Sequence, residues 1–72
     1  MIILSRAEID DIRKEYPKGT RVKLIYMDDH HAPEPGTCGT VTHVDDAGQI
    51  LMRWDNGGSL ALLPGVDDFV KL

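Results

Sequence analysis

Asp28-Asp29-His30-His31 places two carboxylates and two imidazoles side by side. These are metal-ligand types, and a pliant segment carrying them could wrap a cation. Neighbouring residues seldom all converge on one ion, and only His43 stands elsewhere as an obvious further donor. A solvated polar loop accounts for the four side chains without a metal. As an acid–base set they lack a nucleophile and a pocket. Cys38 beside a histidine would suggest a nucleophile, but next to Gly39 at a strand start it reads as a small packing residue. Gly36-x-x-Gly39 leads into a strand, so it offers no helix N-terminus to a phosphate. No catalytic constellation emerges, and neither an enzyme, a cofactor nor a metal is expected.

Residues suited to binding are more evident. Arg21, Lys23 and Arg53 share outward parity on two expected strands, where they form a small basic patch or simply solubilise the surface. Trp54 would serve as a stacking platform if exposed, yet it continues the inward series Ile50-Met52 and reads as core. The candidate binding surface is therefore Arg21, Lys23, His30, His31 and Arg53. Net charge is −4, unevenly spread. Residues 1–23 hold six cationic side chains against four anionic, and residues 24–72 hold two against eight. Nucleic-acid binders usually carry a basic excess, because affinity comes largely from phosphate neutralisation. The balance disfavours nucleic acid, although the basic first third keeps a weak, salt-sensitive contact in play. A protein partner is the first expectation.

The elements that must position these groups start with a helix over about residues 6–16. Ser5-Arg6-Ala7-Glu8 has the form of a capping box, with Leu4 and Ile9 spaced as a hydrophobic staple. Ile9, Ile12 and Tyr16 make one apolar stripe, Asp10 and Lys14 an i,i+4 pair, and Pro17 a stop. A helix of about eleven residues does not persist alone in water, so its stripe must dock on the β-rich remainder. That remainder spans about residues 19–72. Strands are expected over residues 20–27, 39–44, 49–55, 59–63 and 69–72. In the first, Val22, Leu24 and Tyr26 point inward; Ile25 and Met27 spoil the outer face, either beneath the helix or because a bulge swaps parity near Ile25. Asp45-Asp46-Ala47-Gly48 is a turn, and Asn56-Gly57 suits a type I′ hairpin. Pro64-Gly65 forces another turn, and Val66-Asp67-Asp68 suits a single 3₁₀ turn before the last strand. Residues 28–38, with two prolines and a glycine, form the longest irregular stretch.

Five short strands, a long first loop and tight central hairpins predict a mainly β chain: a small five-stranded SH3-like barrel with one N-terminal α-helix, as a single domain over residues 1–72. A chain this short buries only about 60% of its unfolded surface. With one cysteine it has no internal disulfide, which suits a reducing compartment. The apolar opening Met1-Ile2-Ile3-Leu4 is too short for a signal-peptide core, and nothing approaches the ~20 apolar residues of a membrane span. A cytoplasmic location without membrane contact is expected. The partly apolar outer face leaves room for a dimer.

The segments Gly36-Thr37-Cys38-Gly39-Thr40-Val41 and Trp54-Asp55-Asn56-Gly57 resemble the G-x-x-G-x-V and W-D-x-G patterns of KOW-type barrels. A closer resemblance covers almost the whole chain. Tyr16-Pro-Lys-Gly-Thr-Arg-Val, Met27-Asp-Asp, Pro35-Gly-Thr-Cys-Gly-Thr-Val, Val44-Asp-Asp-Ala-Gly-Gln-Ile, Trp54-Asp-Asn-Gly and Ser59-Leu-Ala-Leu-Leu-Pro-Gly-Val-Asp look like bacterial domain-of-unknown-function family 4314. That resemblance implies a bacterial, cytoplasmic and mobile-element setting, and it implies no activity. The expectation is a non-enzymatic binding module that makes protein–protein contacts. Binding should use the 28–38 loop and the side away from the helix. Deleting residues 30–35 should abolish partner capture with little effect on thermal unfolding.

Overall fold

The computed structural model describes residues 3–72; Met1 and Ile2 of the apolar opening lie outside them. Helix α1 covers Arg6–Glu15, with Tyr16 as its C-cap. The capping box forms in both directions. The Glu8 N–H donates to Ser5 Oγ at 3.1 Å, and the Ser5 N–H donates to Glu8 Oε1 at 2.9 Å. That second bond, with the Ser5 hydroxyl, holds the Glu8 carboxyl below its ordinary value. Asp10 pairs with Arg13, at 3.6 Å, rather than with the expected Lys14. Arg13 faces the body of the protein and also reaches Asp46 at 2.9 Å and the Val44 carbonyl at 3.3 Å, so its head is held beside Asp10.

Strands β1 (Arg21–Tyr26), β2 (Cys38–Val44), β3 (Ile50–Trp54) and β4 (Asp68–Lys71) form one antiparallel sheet in the order β3-β2-β1-β4. Val22, Leu24, Val41, Val44, Ile50, Met52, Trp54 and Leu62 fill the core, Ile12 of α1 and the C-cap Tyr16 pack against it, and Ile9 is buried beside Gly48. Each fully buried large side chain here contributes roughly 1.5–3 kcal/mol. Tyr16 meets Phe69 edge to face at 5.7 Å between centroids. Lys71 closes the same corner by donating to the Glu15 carbonyl at 2.9 Å. The two barrel-type motifs turn out to be halves of one contact. Gly39 pairs across the ladder with Trp54, and a Cβ on Gly39 would sit 2.8 Å from the indole.

Four expectations need correction. Between Leu24 and Tyr26 the register with β4 slips by a bulge. Tyr26 is therefore 56% exposed and Met27 buried, the reverse of the parity expected for Tyr26 and in line with the bulge alternative at Ile25. The second hairpin is not type I′, since no non-glycine residue has positive φ among the described residues. Instead Gly57 N–H donates to the Trp54 carbonyl and Trp54 N–H to the Gly58 carbonyl, both at 2.9 Å, with Gly57 at φ +95°. That is a type I turn closed by a glycine bulge. The turn before β4 sits earlier than expected: Val66 and Asp67 N–H both donate to the Leu63 carbonyl, at 3.0 and 2.9 Å.

The fourth correction concerns the strand expected over 59–63, which is reduced to a single bridge, Ile50↔Leu62. The sheet thus has four strands rather than five and does not close into a barrel. Trp54 competes for that pairing. Ile50 and Trp54 turn their backbone groups toward this segment, so Met52 between them does too. The Leu60 carbonyl that would meet Met52 is taken by the indole N–H of Trp54 at 2.8 Å.

Candidate functional site

The outer face of the sheet gathers three of the expected binding residues. Arg21 pairs with Thr40, and Thr40 with Arg53, so the three share one cross-strand row. Lys23 lies on the same face, between Cys38 and Val70. Arg21 is already engaged. Its guanidinium grips Asp55 through two bonds of 2.8 and 2.6 Å and donates to Thr40 Oγ1 at 2.9 Å. That paired hydrogen bonding holds the Asp55 carboxyl below its ordinary value and raises Arg21. A charge closed by a bidentate carboxylate presents little field to a phosphate. Lys23 and Arg53 take part in no ion pair among the described residues. Ile25, Tyr26, Val70 and Leu72 are exposed on β1, β4 and their flank.

The two histidines do not join this row. His30 and His31 are exposed in the first loop, where the His31 N–H donates to Asp29 Oδ1 at 2.7 Å. His31 borders a hollow shared with Pro33, Asn56 and Ser59, which none of the three cations lines. No group of three His, Cys, Asp or Glu side chains converges as metal ligands would among the described residues. Nor is the loop a detachable strap. Pro33 is buried, Ala32 packs on the core, and the Gly36 N–H donates to the Leu24 carbonyl at 2.7 Å. Deleting residues 30–35 would therefore remove packing as well as any contact surface.

A groove that residue patterns do not reveal lies where the chain segments 27–29, 47–49 and 60–67 meet. It consists of two adjoining hollows of about 270 and 300 Å³ that share Gln49, Leu63 and Val66. The first is walled by Leu4, Ala47 and Pro64, and the second by Met27, Leu60 and Ala61. Leu63 and Val66 stay 37% and 58% exposed along the shared wall. Asp28, Asp29 and Asp67 line the second hollow. Asp67 is oriented by the Leu63 N–H, which donates to its Oδ2 at 2.8 Å. Because Leu4 borders the groove, it abuts the start of α1 instead of lying wholly on the far side from the helix. Asp28 and Asp67 are far apart in sequence and meet only through the sheet order.

A capped helix laid on an open four-stranded antiparallel sheet, with an apolar groove between its loops, defines a small, mainly β domain. The family model for DUF4314, a domain of unknown function, matches residues 5–72, so the chain belongs to that family. No curated protein and no solved structure matches it. No helix among the described residues is long and apolar enough to cross a membrane.

Proposed function

We propose that this protein is a non-enzymatic binding module whose groove between residues 27–29, 47–49 and 60–67 receives side chains of a protein partner. One observation carries the reading: Leu63 and Val66 stand open to solvent along a groove whose halves are about 270 and 300 Å³. Together the halves reach the ~300–1,000 Å³ of small-molecule sites, so volume does not decide; the exposed wall of Leu63 and Val66 favours side chains of a partner over an enclosed cofactor. The strand order supports an SH3-like arrangement, in which the 59–63 segment takes the place of a fifth strand beside β3. A bacterial, cytoplasmic and mobile-element context follows from the family-level resemblance alone.

The nucleic-acid reading rests on Lys23 and Arg53 and is weakened by the Asp55 grip on Arg21. The two readings separate in one experiment. The tagged protein is used to capture material from a bacterial lysate, and the bound protein is then purified and the complex reconstituted. Reconstitution is expected with the wild type and lost in Val66→Glu, while Lys23→Glu with Arg53→Glu leaves it intact. Recovery of nucleic acid instead, lost only in the double reversal, would overturn the groove.

A further inference from the structure

Resting on that reading of the groove, we propose that its occupant is a segment that carries an aliphatic side chain within a few residues of a lysine or arginine. Charged side chains line only one half of the groove. Leu4, Ala47, Pro64, Leu63 and Val66 offer an apolar seat, and the adjoining half carries Asp28, Asp29 and Asp67. No lysine, arginine or histidine lines either half. The ion pairs of the described residues leave all three carboxylates out, although Asp10, Asp46, Asp55 and Glu15 each have a cation. Other carboxylates, Asp11 and Asp68 among them, also stand without a cation; what sets Asp28, Asp29 and Asp67 apart is that the three line one hollow beside an apolar wall. A partner cation supplies the missing charge, and the aliphatic residue fixes its distance from the seat. An acidic segment meets three like charges and is rejected, which is specificity by repulsion as well as attraction.

The test uses the full chain, isotope-labelled, and three capped synthetic peptides. All share two adjacent leucines followed after two alanines by a pair of lysines, a pair of glutamates or a pair of serines. The expected result is that the lysine peptide binds most tightly and shifts the amide signals of Gln49, Ala61, Leu63 and Val66. Asp28→Asn and Asp67→Asn preserve shape and the acceptor for the Leu63 N–H. Each should weaken the lysine peptide about two- to fivefold, as expected for solvent-exposed charge pairs. They should leave the serine peptide unchanged. Equal binding of all three peptides in the groove would overturn the charge preference while leaving the groove as a contact site. Shifts confined to Lys23, Val70 and Arg53, or no shift with any peptide, would overturn the occupant proposed here. Reconstitution with the captured partner judges the groove independently.

Discussion

The two central hairpins share one loop and differ in what surrounds it. Asp45 to Gln49 and Trp54 to Gly58 are both closed by a type I turn and a glycine bulge, with Gly48 at φ +85° and Gly57 at φ +95°. Both place an aspartate second in the loop, and both aspartates take an arginine: Asp46 from α1, Asp55 from β1. Beyond that the likeness ends. The first loop lies under the helix, where a Cβ on Gly48 would run into Leu4 and come within 3.3 Å of Ile9. The second projects outward, and a Cβ on Gly57 would meet nothing within 4 Å. Backbone geometry is therefore set by local turn chemistry, whereas its cost of alteration is set by what docks on it.

The sharpest way to break this comparison is to add one methyl group to each loop. Gly57→Ala carries only the left-handed strain of about 1–2 kcal/mol. Gly48→Ala carries the same strain and also displaces Leu4 or shifts the turn, adding about 1–3 kcal/mol of overpacking. Thermal unfolding should therefore show Gly48→Ala as clearly the more damaging; equal melting shifts would mean that α1 does not press on this turn.

A smaller effect separates the ladders that leave the loops. The first hairpin flanks a β2–β3 ladder of five pairs with one bulge between Val41 and His43, whereas the second keeps only its end bonds, at Trp54–Gly58 and Ile50–Leu62, with the Trp54 indole on the Leu60 carbonyl between them. Trp54→Phe frees the Leu60 carbonyl for the Met52 N–H. It should cost about 1 kcal/mol for the lost bond, apart from packing, and slow hydrogen exchange at the Met52 amide. Faster exchange there would show that the segment is kept from pairing by something other than the indole.

The smallest effect concerns the two aspartates. Asp55 has a depressed pKa in the fold, so its contribution is present above the ordinary aspartate range and is lost as pH falls through its lower folded value. Arg21→Met should flatten the acid limb of the stability profile in that window while leaving the profile above it parallel to wild type. Because the pair is exposed, the change should also shrink in high salt. An unchanged acid limb would assign that limb to other carboxylates.

What was legible in the sequence follows the range of the interactions involved. The helix start was readable because Ser5 and Glu8 satisfy each other within one turn. The inward series Ile50-Met52-Trp54 was readable because alternation is local. Tyr26 escapes the alternation because a bulge answers to the partner strand, and the 59–63 segment keeps a single bridge where a side-chain donor sits on the Leu60 carbonyl. Of the candidate residues, Arg21, Lys23 and Arg53 share one sheet face as their parity implies, but the Asp55 that occupies Arg21 arrives from the far end of a hairpin. Asp28 and Asp29 drew notice as part of a metal-like cluster with the histidines. Their company is instead Asp67 and Leu63, which only the sheet topology brings alongside.

The indole that breaks the ladder also makes the molecule legible to light. Trp54 is the sole tryptophan, 1% exposed and hydrogen-bonded through its nitrogen, yet it lines neither half of the groove. Its emission is thus a native optical gauge of the second hairpin. It shifts strongly when that hairpin opens, whereas an occupant of the groove reaches it only through Leu60, which walls the second hollow and accepts the indole N–H, so docking should register as a smaller change than unfolding.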